Sequence, residues 1–436
     1  MSIGLCALLV LALIMMSMGI PLAFLAGAMV FSAAAGLTTG SWGSTAWFST
    51  ESFSLLAVPL FILAGTLMER SGIAGALVDW GQRLTDKEGK GTGLANAIPV
   101  VSGMFGALCG SGLATASTMC SMLGPKLEEK GYKKEFIYGL IACCSPFGYM
   151  IPPNMNAIIY AKVANASVAD LFLATVAPGV LWIVLYMIIN RFMVPKYLVV
   201  TRTPEELAAD MAQSKALSTW KLFKALLPAL LMPVIILGGI YGGIFTATEA
   251  GAVGCLYGVI VGVMLYKTVK TRDLLDIFSS TAYSLGSLQI IFPFTMIFTR
   301  IMVTNGVPQM VTDFISSVST NRYVIIVILC VVLFIAGFFL DGNILLLVLT
   351  PLLLPTATSV GMSVIQFAVV VFVALGIGSI TPPMAMALFL CARLGDVPVE
   401  KMVKPMLPYI IFGALPILIL VAFVPALSDF LPSLLR

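Results

Sequence analysis

Residues Gly110-Ser111-Gly112-Leu113-Ala114-Thr115 interrupt the middle of an otherwise apolar stretch, Gly93–Leu123. That stretch holds only about thirty residues, whereas two full bilayer crossings need ~40 and a turn between them. Positive charge flanks it on both sides, with Arg83, Lys87 and Lys90 before it and Lys126, Lys130, Lys133 and Lys134 after it. Cytoplasmic loops are the ones enriched in Lys and Arg, so both flanks belong on that side. A re-entrant hairpin over 93–124 meets both constraints, with a glycine-rich tip that exposes backbone amides. Residues 323–354 repeat the pattern around Asp341-Gly342-Asn343. They are bracketed by Arg322 and the neutral loop Thr356–Ser363, so this second hairpin is expected to enter from the outer face, with Arg322 as a lone positive charge there.

The composition around these hairpins belongs to a membrane protein. Of 436 residues, 60% are apolar and 10% charged, against roughly 25% charged in soluble domains. A net charge of +4, scattered along the chain, leaves no nucleic-acid footprint. Histidine is absent, which removes Ser–His–Asp and Cys–His triads and every His-ligated metal. The eight cysteines form no CxxC pair and read as small membrane-core residues. No GxxxxGK[ST] is present, so the chain carries no P-loop of its own. Ala33-Ala34-Ala35 looks like a cleavage site, but no charged segment precedes it, and a removed leader is not expected. Gly19-Ile20-Pro21 leaves Ile3–Leu37 open between two short spans and one long bent helix.

The two hairpins belong to an internal repeat. Pro125, Gly131, Pro152 and Pro178 recur 230 residues later as Pro355, Gly361, Pro382 and Pro408. Upstream, Gly72 and Asp79 recur 234 residues later as Gly306 and Asp313. Four lysines lie in Lys126–Lys134 and none in Thr356–Val364, whereas Cys391–Lys404 holds Arg393, Lys401 and Lys404 against only Lys162 in Ala161–Ser167. The copies therefore face opposite ways, as in secondary transporters with broken helices at the midplane. The expected fold is an all-α polytopic membrane protein. Its parts are N-terminal scaffold helices 1–57, a first repeat 58–194 with a broken helix 135–160, a cytoplasmic connection 195–224, scaffold helices 225–275, a second repeat 276–427 with a broken helix 364–392, and a tail 428–436. Lys130 and Met362 are then expected in opposite aqueous compartments.

The Pro-Pro pairs at 152–153 and 382–383 unwind their helices, and bare backbone at membrane depth is tolerated only beside protein or a watery cavity. Broken helices offer positive N-terminal ends to anions and carbonyl-rich C-terminal ends to Na⁺. Ser111, Thr115 and Ser117 at the first tip face Asn154 and Asn156 at the first break, and Asp341 and Asn343 at the second tip face Thr381. These hard oxygen donors suit an alkali cation rather than a transition metal. Asp341, an intramembrane charge, reads as part of the site. Arg300 is the candidate partner for an anionic solute, against a plain snorkelling role. Glu249 reads as part of a helix N-cap with Thr246 or Thr248, and Glu51 and Glu69 read as interfacial.

Five strings occur in order: Val58-Pro59-Leu60-Phe61-Ile62-Leu63-Ala64-Gly65, the 110–115 tip, Ile151-Pro152-Pro153, Gly243-Ile244-Phe245-Thr246-Ala247-Thr248-Glu249 and Gly378-Ser379-Ile380-Thr381-Pro382-Pro383. Along essentially its whole length the chain resembles the large membrane subunit of TRAP (tripartite ATP-independent periplasmic) transporters. Asn154 stands where that family usually has Ser, and Ala247 where it usually has Pro. The resemblance implies a Na⁺-coupled, elevator-type importer of organic acids such as C4-dicarboxylates, sialic acid or keto acids in a bacterial inner membrane. It also implies a periplasmic substrate-binding protein and a small four-helix membrane subunit as partners.

On this reading the solute is expected against Ser111, Thr115, Arg300, Asp341 and Asn343. Sodium is expected against Gly110, Ser111, Gly112 and Asn154 at one junction, and against Asp341, Gly342, Thr381 and Pro382 at the other. The competing reading is a stand-alone Na⁺/anion symporter that needs no binding protein. An intramembrane enzyme would need two carboxylates at depth, and the position matching Asp341 is Ser111. A passive channel would ignore the sodium gradient.

Overall fold

A computed structural model describes residues 3–85, 93–199, 219–340, 342–383 and 385–434. Lys87, Lys90, most of the 195–224 connection and Asp341 lie outside the described residues. The described chain is helical, with one isolated antiparallel bridge, Tyr132 to Leu198. It opens with α1 (Ile3–Met15), α2 (Ile20–Ala35) and α3 (Trp42–Thr50). Ile3–Leu37 is thus two short helices, parted by a turn with Ser17 at φ 64°. The first half continues as α4 (Ala57–Arg70), α5 (Ile73–Thr85), α6 (Gly93–Cys109), α7 (Gly112–Glu129), α8 (Lys134–Cys144), α9 (Phe147–Met150), α10 (Met155–Ala164) and α11 (Val168–Tyr197).

Next come α12 (Thr219–Tyr241), α13 (Ala247–Val259) and α14 (Asp273–Gln289). The second half is α15 (Ile291–Thr304), α16 (Val307–Val318), α17 (Arg322–Phe339), α18 (Gly342–Ser359), α19 (Val364–Gly378), α20 (Met386–Gly395), α21 (Val399–Tyr409), α22 (Leu415–Phe423) and α23 (Ala426–Leu434). Six helices are long and apolar enough to cross a bilayer, and two pairs bent at a short break raise that to eight, among the described residues.

The sequence repeat is reproduced helix by helix. α7 and α18 coincide at both ends when shifted by 230 residues, and α4 and α15 when shifted by 234. Gly72 and Gly306 take φ 77° and 72°, and Gly131 and Gly361 take φ 83° and 79°. These are left-handed turns that glycine enters without steric cost. Packing between the halves is reciprocal: α7 lies on α20, and α18 lies on α10.

Prolines inside the helices free carbonyls, and buried side chains take them up. Pro99 has no N–H for the Ala95 carbonyl, which instead accepts from Asn190 Nδ2 at 3.1 Å. Pro351 likewise frees the Leu347 carbonyl, which accepts from Thr299 Oγ1 at 3.3 Å. Both hairpin second arms run through their prolines, Pro125 and Pro355, a little beyond the expected ends. The capping box expected near Glu249 is present: its Oε2 accepts from the Thr246 N–H at 2.8 Å, and Thr246 Oγ1 accepts from the Glu249 N–H at 3.3 Å. α13 then meets α4 along Gly251, Gly254 and Gly258, where a Cβ on Gly251 would stand 2.9 Å from that of Leu60. Small residues on such a seam let two backbones approach.

Candidate functional site

The first tip is built by three consecutive residues. Gly110 turns the chain at φ 61°, and Ser111, extended at φ −139°, caps α7 by accepting from the Ala114 N–H at 3.4 Å. Thr115, fully buried, donates its hydroxyl to the Ser111 carbonyl at 2.8 Å. The tip lies against the first helix break. The Met155 N–H donates to the Gly110 carbonyl at 3.4 Å. A Cβ on Gly110 would stand 2.8 Å from the Pro153 carbonyl, and one on Gly148 would stand 2.5 Å from that of Ser111. Gly110, Ser111, Gly112 and Asn154 are therefore gathered at one junction, in a chain that bends by 47° there.

Polar groups at this junction are incompletely paired. Asn154, 1% exposed, caps α10: its Oδ1 accepts from the Ala157 N–H at 2.9 Å. Its Nδ2, the Nδ2 of Asn156 and the hydroxyl of Ser145 are buried without a hydrogen-bond partner among the described residues. Each such group costs about 1–3 kcal/mol unless a ligand or water meets it. Ser145 is a residue that sequence reasoning missed; its carbonyl would sit 2.7 Å from a Cβ on Gly112. The N-termini of α7 and α10, 18 and 10 residues long, meet here, and their positive ends favour an anionic group.

At the second tip Gly342 packs on Leu375, and a Cβ on Gly378 would collide with the Gly337 carbonyl. Gly378 is the 230-residue counterpart of Gly148, so both hairpins approach their partner helices through the same glycine. Thr381 Oγ1 donates to the Ile377 carbonyl at 2.8 Å and keeps its lone pairs for another donor or a cation. Pro382 is exposed and Asn343 half-buried. Asp341 itself lies outside the described residues.

The two tips meet at a small cavity of about 70 Å³, lined by Leu113 and Tyr149 from the first half and by Leu340, Gly342, Leu375 and Ser379 from the second. A larger cavity of about 420 Å³ opens beside the first tip and is lined by Ser111, Thr66, Glu69 and, from α14, Ser280, Thr281 and Ser284. Glu69 faces this cavity, half-buried, with Oε1 accepting from Thr118 Oγ1 at 2.7 Å. Its position follows from the packing of α14 on α4, a contact that no local pattern announces. Arg300 is placed elsewhere. Its Nη1 donates to Thr45 Oγ1 at 3.2 Å in a separate cavity of about 210 Å³ between α2, α3 and α15. No described residue of either tip lines that cavity.

Comparison with known proteins agrees with this architecture. The family model described as Tripartite ATP-independent periplasmic transporter, DctM component, matches residues 5–427. The sialic acid TRAP transporter large permease protein SiaM of Vibrio cholerae is 31% identical over 385 residues, 88% of this chain and 87% of the relative. The C4-dicarboxylate TRAP transporter large permease protein DctM of Pseudomonas aeruginosa is 28% identical over 385 residues, again 88% and 87%. The solved YdaH transporter of Alcanivorax borkumensis shares the fold, with a TM-score of 0.57 over 88% of this chain and 87% of that one at 14% identity.

Proposed function

The chain belongs to the TRAP transporter family as its large membrane permease, a transporter subunit and not an enzyme, and on that premise we propose that it imports a small organic acid in symport with Na⁺. The observation that carries this reading is the junction of the first tip with the first break. There, two helix N-termini converge with the Asn154 and Asn156 amide donors and the Ser145 hydroxyl, all buried without a hydrogen-bond partner among the described residues. Accepting oxygens of Gly110, Ser111, Gly112 and Asn154 suit Na⁺, and the N-terminal ends of α7 and α10 suit a carboxylate. Gly342, Thr381 and Pro382, with Asp341, form the second ion site. The solute lies between the tips, against Ser111, Asp341 and Asn343, while Thr115, buried and bonded to the Ser111 carbonyl, braces the turn from behind rather than touching solute. Dicarboxylates, sialic acids and keto acids are the classes that this chemistry admits.

The two halves are inverted in the bilayer, and 93–124 and 323–354 are re-entrant hairpins. With their broken helices they form a body that carries solute across by an elevator motion against the remaining helices. Na⁺ drives the cycle only if it binds the solute-competent state more tightly. The permease works in the bacterial inner membrane with a small four-helix membrane subunit and a periplasmic substrate-binding protein that delivers the acid.

Uptake by proteoliposomes holding the permease and its small subunit tests this. Solute supplied on its receptor should accumulate only under an inward Na⁺ gradient. Accumulation of free solute without receptor would favour a stand-alone symporter, and indifference to the Na⁺ gradient would exclude coupling.

A further inference from the structure

The 420 Å³ cavity beside the first tip shares Leu113 with the cavity between the tips, and its polarity narrows the distal part of a solute held at Ser111, an inference that rests on the transport reading above. Glu69 is an acceptor-only carboxylate; one oxygen takes the Thr118 hydroxyl, and no Lys or Arg lies within ion-pair distance among the described residues. Thr66, Ser280 and Ser284 have each donated their hydroxyl proton to a carbonyl of their own helix, at 2.9, 3.0 and 3.0 Å. They present lone pairs, not protons, to the space between them. Thr281 also lines the cavity; it is 5% exposed and its hydroxyl has no partner among the described residues. The lining also includes Ser111 and the start of α7, where backbone N–H groups and the helix dipole favour negative charge.

One part of the lining therefore asks for hydrogen-bond donors and another, at the start of α7, for an anion. We propose that Glu69 is a specificity-determining residue that selects monocarboxylates bearing hydroxyl or ammonium groups distal to the acid and rejects dicarboxylates. A second carboxylate would lie against Glu69 with like charge and no donor to offer. A polyhydroxylated or amino acid would place protons on the Glu69 oxygens and on the Thr66, Ser280 and Ser284 lone pairs, while Thr281 satisfies one solute oxygen.

Calorimetric titration of the full-length permease in Na⁺ buffer tests this with three probes: gluconate, and the four-carbon pair 4-aminobutyrate and succinate. Gluconate or 4-aminobutyrate should bind at least about tenfold more tightly than succinate, because discrimination comes from the repulsive element as much as from the attractive one. Glu69→Gln keeps the acceptor for Thr118 and should erase that ratio, and Thr281→Val should weaken gluconate alone. Succinate binding as well as the other two, a ratio unmoved by Glu69→Gln, or no binding of gluconate and 4-aminobutyrate at millimolar concentration would each overturn the inference. Sodium dependence is read in the same titrations. A succinate-preferring permease whose binding needs Na⁺ would sink the role of Glu69 and leave symport standing, whereas Glu69-dependent binding indifferent to Na⁺ would do the reverse.

Discussion

Asn190 and Ala95 are joined by a buried hydrogen bond, Nδ2 to carbonyl, at 3.1 Å. The carbonyl is available because Pro99 stands where the helix would supply an N–H. Asn190 Oδ1 also accepts from the Tyr409 hydroxyl, so one side chain ties the first hairpin arm, α11 and α21 together. Asn190→Leu should therefore cost about 2–3 kcal/mol, because it leaves a buried acceptor and a buried phenol unpaired. Tyr409→Phe should cost about 1 kcal/mol. Thermal unfolding midpoints of the purified variants check the order, and an Asn190→Leu protein as stable as the parent would show that the bond is dispensable.

The glycine contact between tip and break gives a contrast. A Cβ on Gly148 meets the Ser111 carbonyl at 2.5 Å, whereas one on Gly238 meets nothing within 4 Å. Gly148→Ala should push the tip off the break and abolish uptake, since backbone cannot yield as a side-chain end does. Gly238→Ala should transport normally and gain up to about 1 kcal/mol from helix propensity. Uptake rates of the two variants, normalised to folded protein, make the comparison.

Ser111→Ala removes the cap of α7 and an oxygen from the proposed ion and solute site. Its stability cost should be about 1 kcal/mol, while coupled uptake is lost. Asp341→Ala should likewise lose coupled uptake. Normal Na⁺-driven transport by both variants would displace the site from the tips.

Arg300 donates to Thr45 in a cavity that no described residue of either tip lines. From there Arg300→Ala is expected to change solute affinity less than about threefold, well under the loss of a charged hydrogen bond. Thr45→Val should reproduce its effect on stability. A tenfold or greater loss of affinity for carboxylated solutes would return Arg300 to the transport path.

Much of this architecture was legible in sequence because proline and glycine leave local marks. Each tip, each Pro-Pro break and the capping box at Thr246 and Glu249 is written within a few residues, and the 230-residue offset of the prolines predicts helices that coincide at both ends. What depends on remote packing was not legible. That Glu69 lines a cavity depends on α14, and Ser145 is an ordinary serine until the Gly112 turn settles on its carbonyl. Arg300 had the right chemistry for an anion, but α3 brings Thr45 to it instead.

The inverted relation of the two halves is the claim on which the transport reading rests. Met362 is 4% exposed and a poor probe, but Glu129 and Ser359, the last residues of α7 and α18, are both exposed and stand 230 positions apart. Glu129→Cys and Ser359→Cys, labelled with a membrane-impermeant maleimide in right-side-out and inverted vesicles, measure sidedness directly. Glu129→Cys should react from the cytoplasmic face and Ser359→Cys from the outer face; labelling of both from one face would contradict the account.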